Sequence, residues 1–124
     1  MTVIESQQSF EETLDALNQA IEARGLRLFD RIDHASNAVG AGLELDPTVV
    51  FIFGNPKVGS KLMAERRTVA IDLPQKMLVW KDSESVYVGF NDPSWLGTRH
   101  QLETPVLAKI KGLLNGIATA AIGA

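Results

Sequence analysis

Apolar residues near the beginning of the chain recur with the period of an α-helix. They stand three or four residues apart, at Phe10, Leu14, Leu17 and Ile21. Ser9 precedes them and Glu12 follows three residues later, which is the spacing of a capping box, where each side chain binds a free backbone amide of the other residue. This pattern predicts a helix that begins after Ser9 and is closed by Gly25.

Runs rich in β-branched and aromatic residues predict five strands. They cover residues 3–4, 26–32, 48–53, 76–80 and 86–90. The third run is almost continuously apolar, as in a central strand that is covered on both sides or lies under a helix. Polar residues separate the last two runs, which is typical of a hairpin.

The stretches between the strands predict short helices. Asp33 is placed to cap one of them at its start. Residues 57–63 and residues 94–100 each predict a helical turn or two. Residues 68–72 have no clear pattern, so they predict neither a helix nor a strand.

The last segment is the most apolar part of the chain. Its apolar side chains form one broad helical stripe, at Val106, Leu107, Ile110, Leu113, Leu114, Ile117 and Ala121. No charged residue follows Lys111, so this helix, at about residues 103–122, must be buried against its own sheet or against a second subunit. Gly112 and Gly116 permit close approach of another helix, which is compatible with the seam of a dimer.

These elements predict an α+β fold in a single domain, residues 1–124. We expect a mostly antiparallel sheet of about five strands, with a long helix near each end of the chain packed on it. A chain of 124 residues is long enough to bury one core without disulfides or a structural metal.

Composition and charge exclude several classes of function. The chain has no cysteine, which excludes disulfide bridges, thiolate zinc sites and cysteine nucleophiles. The beginning lacks a cationic start and a long apolar run, and the final apolar segment is too broken to cross a bilayer, so we expect a cytoplasmic protein without membrane contact. A net charge of −3 argues against nucleic acid as a partner.

The segment after the third strand is the leading candidate for a binding site. Gly54 and Gly59 have the spacing of the glycines in a phosphate-binding loop. Ser60 precedes Lys61, however, where that motif requires the lysine first, so nucleotide hydrolysis is not expected. A milder hypothesis is that amides near Gly59 bind a small anion beside Lys57 and Lys61; the alternative is a turn that serves backbone geometry only.

Asp33 and His34 form the second candidate. A histidine beside a carboxylate can act as a general base or a metal ligand, although Asp33 is better suited to capping. The only other histidine is His100, so a mixed metal site would have to draw on His34, His100, Asp72 or Asp92. We expect no metal and no cofactor, and no nucleophile motif identifies a catalytic residue.

A succession of short motifs resembles one known family. The motifs are Ile32-Asp33-His34-Ala35, Gly42-Leu43-Glu44-Leu45, Phe53-Gly54-Asn55-Pro56-Lys57, Ala70-x-Asp72-Leu73-Pro74 and Val79-Trp80. In this order they resemble the domain-of-unknown-function 302 family over residues 1–102. The resemblance implies a TATA-binding-protein-like α+β fold, β-α-β4-α in outline, in small bacterial and archaeal proteins that form homodimers. The family has no established activity, so the resemblance implies no catalytic residue, and here the turn after Trp80 lacks the expected glycine.

We therefore expect a homodimeric binding module for a small anionic or polar ligand. The predicted site consists of polar residues that interrupt apolar elements at their ends: Asp33, His34, Asn55, Lys57 and Asp72. Asn55 and the loop amides would fix the ligand, and Lys57 would supply charge. Two alternatives remain open: an enzyme of unassigned class with His34 as general base, and a purely structural homodimer without a ligand.

Overall fold

Five strands form one sheet in the computed structural model, which describes residues 1–124. The strands are β1 (Thr2–Glu5), β2 (Arg27–Asp33), β3 (Thr48–Gly54), β4 (Gln75–Asp82) and β5 (Ser85–Phe90). Their order across the sheet is β1-β5-β4-β3-β2, and every neighbouring pair is antiparallel. The predicted α+β class and the antiparallel sheet of five strands are confirmed.

Five α-helices and one 3-10 helix connect or follow the strands. They are α1 (Phe10–Ala23), α2 (His34–Gly40), α3 (Pro56–Glu65), the 3-10 helix (Arg67–Ile71), α4 (Pro93–His100) and α5 (Val106–Ala121). The stretch without a clear pattern thus forms the 3-10 helix. None of the helices combines the length and the apolar character that crossing a bilayer requires.

The predicted capping box begins α1. Ser9 Oγ accepts a hydrogen bond from the Glu12 amide at 3.1 Å, and Glu12 Oε1 accepts one from the Ser9 amide at the same distance. The hydrogen bond from the Ser9 amide to the Glu12 carboxyl, followed by a hydrogen bond from the Ser9 side chain, lowers the pKa of Glu12 below its ordinary value. The helix ends before Gly25, which adopts the left-handed φ of +66°.

Strands β1 and β2 follow each other in the chain but lie at opposite edges of the sheet. Strand β1 pairs with β5, so that Thr2 lies opposite Phe90. Strand β2 pairs with β3, with Arg27 opposite Gly54 and Asp33 opposite Val49. Helix α1 therefore carries the chain across the whole sheet, an arrangement that periodicity along the sequence does not reveal.

One face of the sheet forms the core together with α1 and α5. Alternate strand residues point into it, among them Val49, Phe51, Phe53, Met77, Val79, Val86 and Val88. The neighbouring positions, such as Val50 and Leu78, are only half-buried and point to the other face. Strand β3 is thus covered fully on one side only, the arrangement of a strand lying under helices.

Helix α5 is buried against its own chain. Its inward stripe consists of Leu107, Ile110, Leu114, Ile117, Ala118 and Ala121. It packs antiparallel to α1, since the Gln7 amide donates to the carbonyl of Ile122 at 3.0 Å while Gly116 lies beside Arg24. Of the two expected arrangements, packing on its own chain or on a second subunit, the structure shows the first. Gly116 approaches the end of α1 in the same molecule.

Candidate functional site

A cavity forms a groove at the end of the sheet where β3 ends. It has a volume of about 750 Å³ and lies between α3 and the first half of α5. This volume is typical of sites for small organic ligands. We call it the α3–α5 groove, and it is the candidate functional site.

The walls of the α3–α5 groove are mainly apolar. The apolar lining residues are Leu26, Phe29, Phe53, Val58, Leu62, Met63, Leu73, Val106, Ile110 and Leu113. Phe53, Leu62 and Ile110 also belong to the hydrophobic core, so they are held firmly in place. Such walls favour a ligand with an apolar body, because burying that body removes hydrocarbon from water.

The rim of the α3–α5 groove is predominantly cationic. It carries Arg24, Lys61 and Lys109, with Glu65 as the one carboxylate. Neither lysine forms a salt bridge within the chain. Arg24 donates through Nη1 to the carbonyl of Ala20 at 3.0 Å, which holds its guanidinium near the end of α1. The arrangement leaves positive charge free to meet an anionic group at the mouth.

Asn55 is the one predicted site residue that lines this groove. It caps α3, because its side-chain oxygen accepts a hydrogen bond from the Lys57 amide at 3.0 Å. Pro56 follows at the first helical position, where its missing N–H costs nothing. The side-chain nitrogen of Asn55 makes no hydrogen bond within the protein and can donate to a ligand.

The structure corrects the hypothesis that amides near Gly59 bind an anion. Helix α3 is longer than expected and already includes Gly59, whose amide donates to the Asn55 carbonyl at 3.0 Å. That amide is therefore occupied within the helix. Lys57 is exposed and does not line the groove, whereas Lys61, one turn later, does.

Asp33 and His34 lie at the far end of β3 from Asn55. Asp33 is opposite Val49, and Asn55 comes six positions after Val49 along the extended strand, a distance of roughly 20 Å. Asp33 caps α2 by accepting a hydrogen bond from the Ser36 amide at 2.9 Å, as expected in preference to a catalytic or metal-binding role. His34 is exposed and has no hydrogen-bond partner. One small ligand could not contact both groups.

Asp72 belongs to a third place, where α4 meets the 3-10 helix. Its Oδ2 lies 2.5 Å from Nε2 of His100, and its Oδ1 lies 3.2 Å from the guanidinium of Arg99. Nδ1 of His100 contacts the hydroxyl of Thr68 at 2.9 Å. Of the four side chains named for a mixed metal site, only Asp72 and His100 meet, and the molecule contains no cluster of three metal-ligating side chains.

Sequence reasoning missed several of these features. Arg24 and Lys109 carried no signal, because they come to the rim only through the packing of α1 against α5. The contact between Thr68 and His100 joins residues that are 32 positions apart. The helical period of α3 could have indicated Lys61 as a site residue, because Lys61 lies on the same side of the helix as the lining residues Val58 and Leu62.

Comparisons with known proteins identify relatives along nearly the whole chain. Residues 2–117 match the family described as "Domain of unknown function DUF302". The chain is 39% identical over 120 residues to a protein of Brucella suis biovar 1 named "Fluoride-specific ion channel FluC 1", and equally to one of Brucella abortus biovar 1 with the same name. The match covers 96% of this chain but only 47% and 44% of those proteins, so the chain spans less than half of their length.

A solved structure has the same fold. It is described as "Crystal structure of uncharacterized conserved protein DUF302 from Bacillus stearothermophilus", and it superposes with a TM-score of 0.85 at 19% identity. The superposition covers 97% of this chain and 96% of that one. At this identity the likeness establishes the fold.

Proposed function

The chain belongs to the family of Domain of unknown function DUF302, and on this premise we propose that it binds an amphiphilic small molecule with an anionic head group. The apolar body lies in the α3–α5 groove. The head group lies at the mouth, beside Lys61, Lys109 and Arg24. This proposal refines the expected small anionic or polar ligand and moves its site to one end of the sheet.

The observation that carries this proposal is the division of the groove into apolar walls and a cationic rim. An inorganic anion would gain little from the walls, and a neutral hydrocarbon would gain little from the rim. A carboxylate with a hydrocarbon tail uses both. Asn55 adds a side-chain amide that can donate to the head group.

Calorimetric titration with sodium decanoate tests the proposal. We expect saturable binding of one decanoate, and weaker binding of decanol because its head group has no charge. Replacing Lys61 and Lys109 together by alanine is expected to weaken decanoate binding about tenfold. Lys57→Ala is the matched control, because Lys57 lies one turn from Lys61 on α3 but outside the groove. Equal affinity for decanol, equal loss in the control, or no binding at all would overturn the proposal.

A second candidate function follows from the Brucella relatives, which are named as fluoride-specific ion channels. We propose as this alternative that the chain binds a small inorganic anion, fluoride, as a partner of anion transport. Fluoride is strongly hydrated, so its binding would need cations and N–H donors and would gain nothing from apolar walls. The rim residues Lys61, Lys109 and Asn55 supply such groups.

Fluorine NMR of sodium fluoride separates the two candidates. If fluoride binds at the rim, the protein broadens the fluoride line and the Lys61→Ala, Lys109→Ala double variant removes that effect, while Leu113→Ala leaves it unchanged. Decanoate binding, in contrast, depends on both the lysines and Leu113. An unchanged fluoride line in the presence of the native protein would dismiss fluoride.

The expected homodimer and cytoplasmic location stay predictions. Because α5 is buried within its own chain, a second copy would have to use another surface. The sheet face opposite the helices is the available one, with Val50, Leu78 and the stacked rings of Trp80 and Tyr87 half-buried on it. Light scattering on the native protein and on Leu78→Lys tests that assignment.

A further inference from the structure

A second group of polar side chains lies apart from the α3–α5 groove, between the 3-10 helix and α4. It consists of the hydroxyl of Thr68, the imidazole of His100 and the carboxylate of Asp72, joined in that order by hydrogen bonds of 2.9 Å and 2.5 Å. Thr68 is exposed, whereas the His100 side chain is only 5% exposed and that of Asp72 15%. An exposed hydroxyl is thus hydrogen-bonded to a buried imidazole.

The hydrogen bonds fix the tautomer of a neutral His100. The carboxylate of Asp72 can only accept, so Nε2 of His100 carries the hydrogen and donates it. Nδ1 then holds a lone pair and accepts the hydroxyl hydrogen of Thr68. This is the relation between nucleophile, base and orienting group that activates serine or threonine hydroxyls in enzymes. Arg99 binds the other oxygen of Asp72 and keeps the carboxylate in place.

We propose that Thr68 is the nucleophile of an acyl-transfer site, with His100 as its general base and Asp72 as the residue that positions the imidazole. Thr68 Oγ1 forms a bond to the acyl carbon of an ester while His100 takes the hydroxyl proton. The ester C–O bond breaks and the leaving alcohol receives that proton. Water then attacks the acyl-threonine and gives one proton to His100, the carboxylic acid leaves, and the same proton returns to Thr68.

The residues that flank Thr68 and His100 in the sequence favour a short and polar acyl group. A cavity of about 500 Å³ is lined by residues within three positions of Thr68 or His100 in the sequence, although not by Thr68 or His100 themselves: Glu65, Arg66, Gln101, Leu102 and Glu103. Only Leu102 among them is apolar, so the cavity offers little to a hydrocarbon tail. The substrate class we infer is therefore small activated esters rather than the amphiphiles proposed for the α3–α5 groove.

Hydrolysis of p-nitrophenyl acetate tests this inference directly. We expect a burst of one p-nitrophenol per chain, and an acid-quenched sample should gain the mass of one acetyl group at Thr68. Thr68→Ala should lower the burst rate at least about 100-fold, whereas Thr68→Ser should retain it. The matched control is Thr98→Ala, because Thr98 is exposed on α4 and binds only the Ser94 carbonyl. Acetylation elsewhere, or a Thr68→Ala rate equal to that of the native protein, would overturn the proposal.

Asp72→Asn tests the positioning role. An asparagine keeps the size of the side chain but no longer fixes the tautomer of His100, so kcat should fall about 100-fold or more while KM stays constant. Circular dichroism and a urea midpoint confirm that the variant is folded. If folded Asp72→Asn keeps the full rate, Asp72 has only a structural role and the proposed arrangement is wrong.

Discussion

The carbonyl oxygen of Leu102 lies against Gly97 of α4, and the Leu102 amide donates to the Gly97 carbonyl at 3.0 Å. A Cβ atom on Gly97 would come within 2.9 Å of that oxygen and of Leu107 Cδ1. The chain can thus turn from α4 toward α5 only because position 97 has no side chain.

Gly97→Ala is expected to destabilise the protein by about 1–3 kcal/mol, because the backbone at Leu102 must shift to admit the methyl group. Urea unfolding followed by circular dichroism measures the change. A stability equal to that of the native protein would show that the turn between α4 and α5 adapts freely.

Gly112→Ala is expected to do the opposite. A Cβ at this position of α5 meets no atom within 4 Å, and alanine is the better helix former. The gain should be about 0.5–1 kcal/mol in the same urea experiment. If Gly112 instead formed the close seam of a dimer, the variant would lose stability and the loss would vary with protein concentration.

Asp72→Ala is expected to cost about 1–3 kcal/mol of stability, because the buried ring of His100 loses its acceptor. Arg99→Ala is the matched comparison. Arg99 binds the same carboxylate, but its side chain is 47% exposed, so its loss should cost at most about 1 kcal/mol. Equal effects of the two substitutions would mean that the His100 bond contributes little.

Asp92 should contribute a pH-dependent part of the stability. The backbone and then the hydroxyl of Ser94 donate to its carboxylate, and with Lys111 they lower the pKa of Asp92 below its ordinary value. The contribution is therefore complete above the unfolded pKa of about 3.9 and is lost as the pH falls through the folded pKa. Asp92→Asn should reduce the loss of stability in acid, measured by urea unfolding from neutral to acid pH. Glu103→Gln is the matched control, because the carboxyl of Glu103 accepts no hydrogen bond.

Binding to the α3–α5 groove should strengthen with the length of the ligand tail. Each methylene that enters the apolar walls contributes up to about 0.8 kcal/mol, or roughly a fourfold lower Kd. Titration of carboxylates from hexanoate upward should show this increment until the groove is filled. An affinity independent of tail length would indicate that only the cationic rim binds.

Local features of the fold were predictable because their signals act within a few residues. The Ser9 box and the Asp33 cap each bind an amide three residues away. The apolar run of β3 likewise predicted a strand, whereas its alternating burial arises because helices cover only one face of the sheet. The hairpin turn is formed without the expected glycine, since Ser83 itself takes a left-handed φ of 54°.

The arrangement of the site was not predictable in the same way. Asn55 and His34 both interrupt apolar runs, but no signal in the neighbouring sequence indicates that they lie at opposite ends of β3. Lys109 reaches the groove only because α5 lies antiparallel to α1. The pairing of Thr68 with His100 depends in turn on how α4 docks on the 3-10 helix. These relations arise from packing between distant segments.

The edge position of β1 has a consequence for synthesis of the protein on the ribosome. Residues Thr2–Glu5 are translated before the other strands of the sheet, yet their sole neighbour in the sheet, β5, is translated only at Ser85–Phe90. During elongation β1 has no strand to join, and β2 with β3 can form the first hairpin without it. The sheet is therefore completed late, when the strand that was translated first pairs with the strand that is translated last.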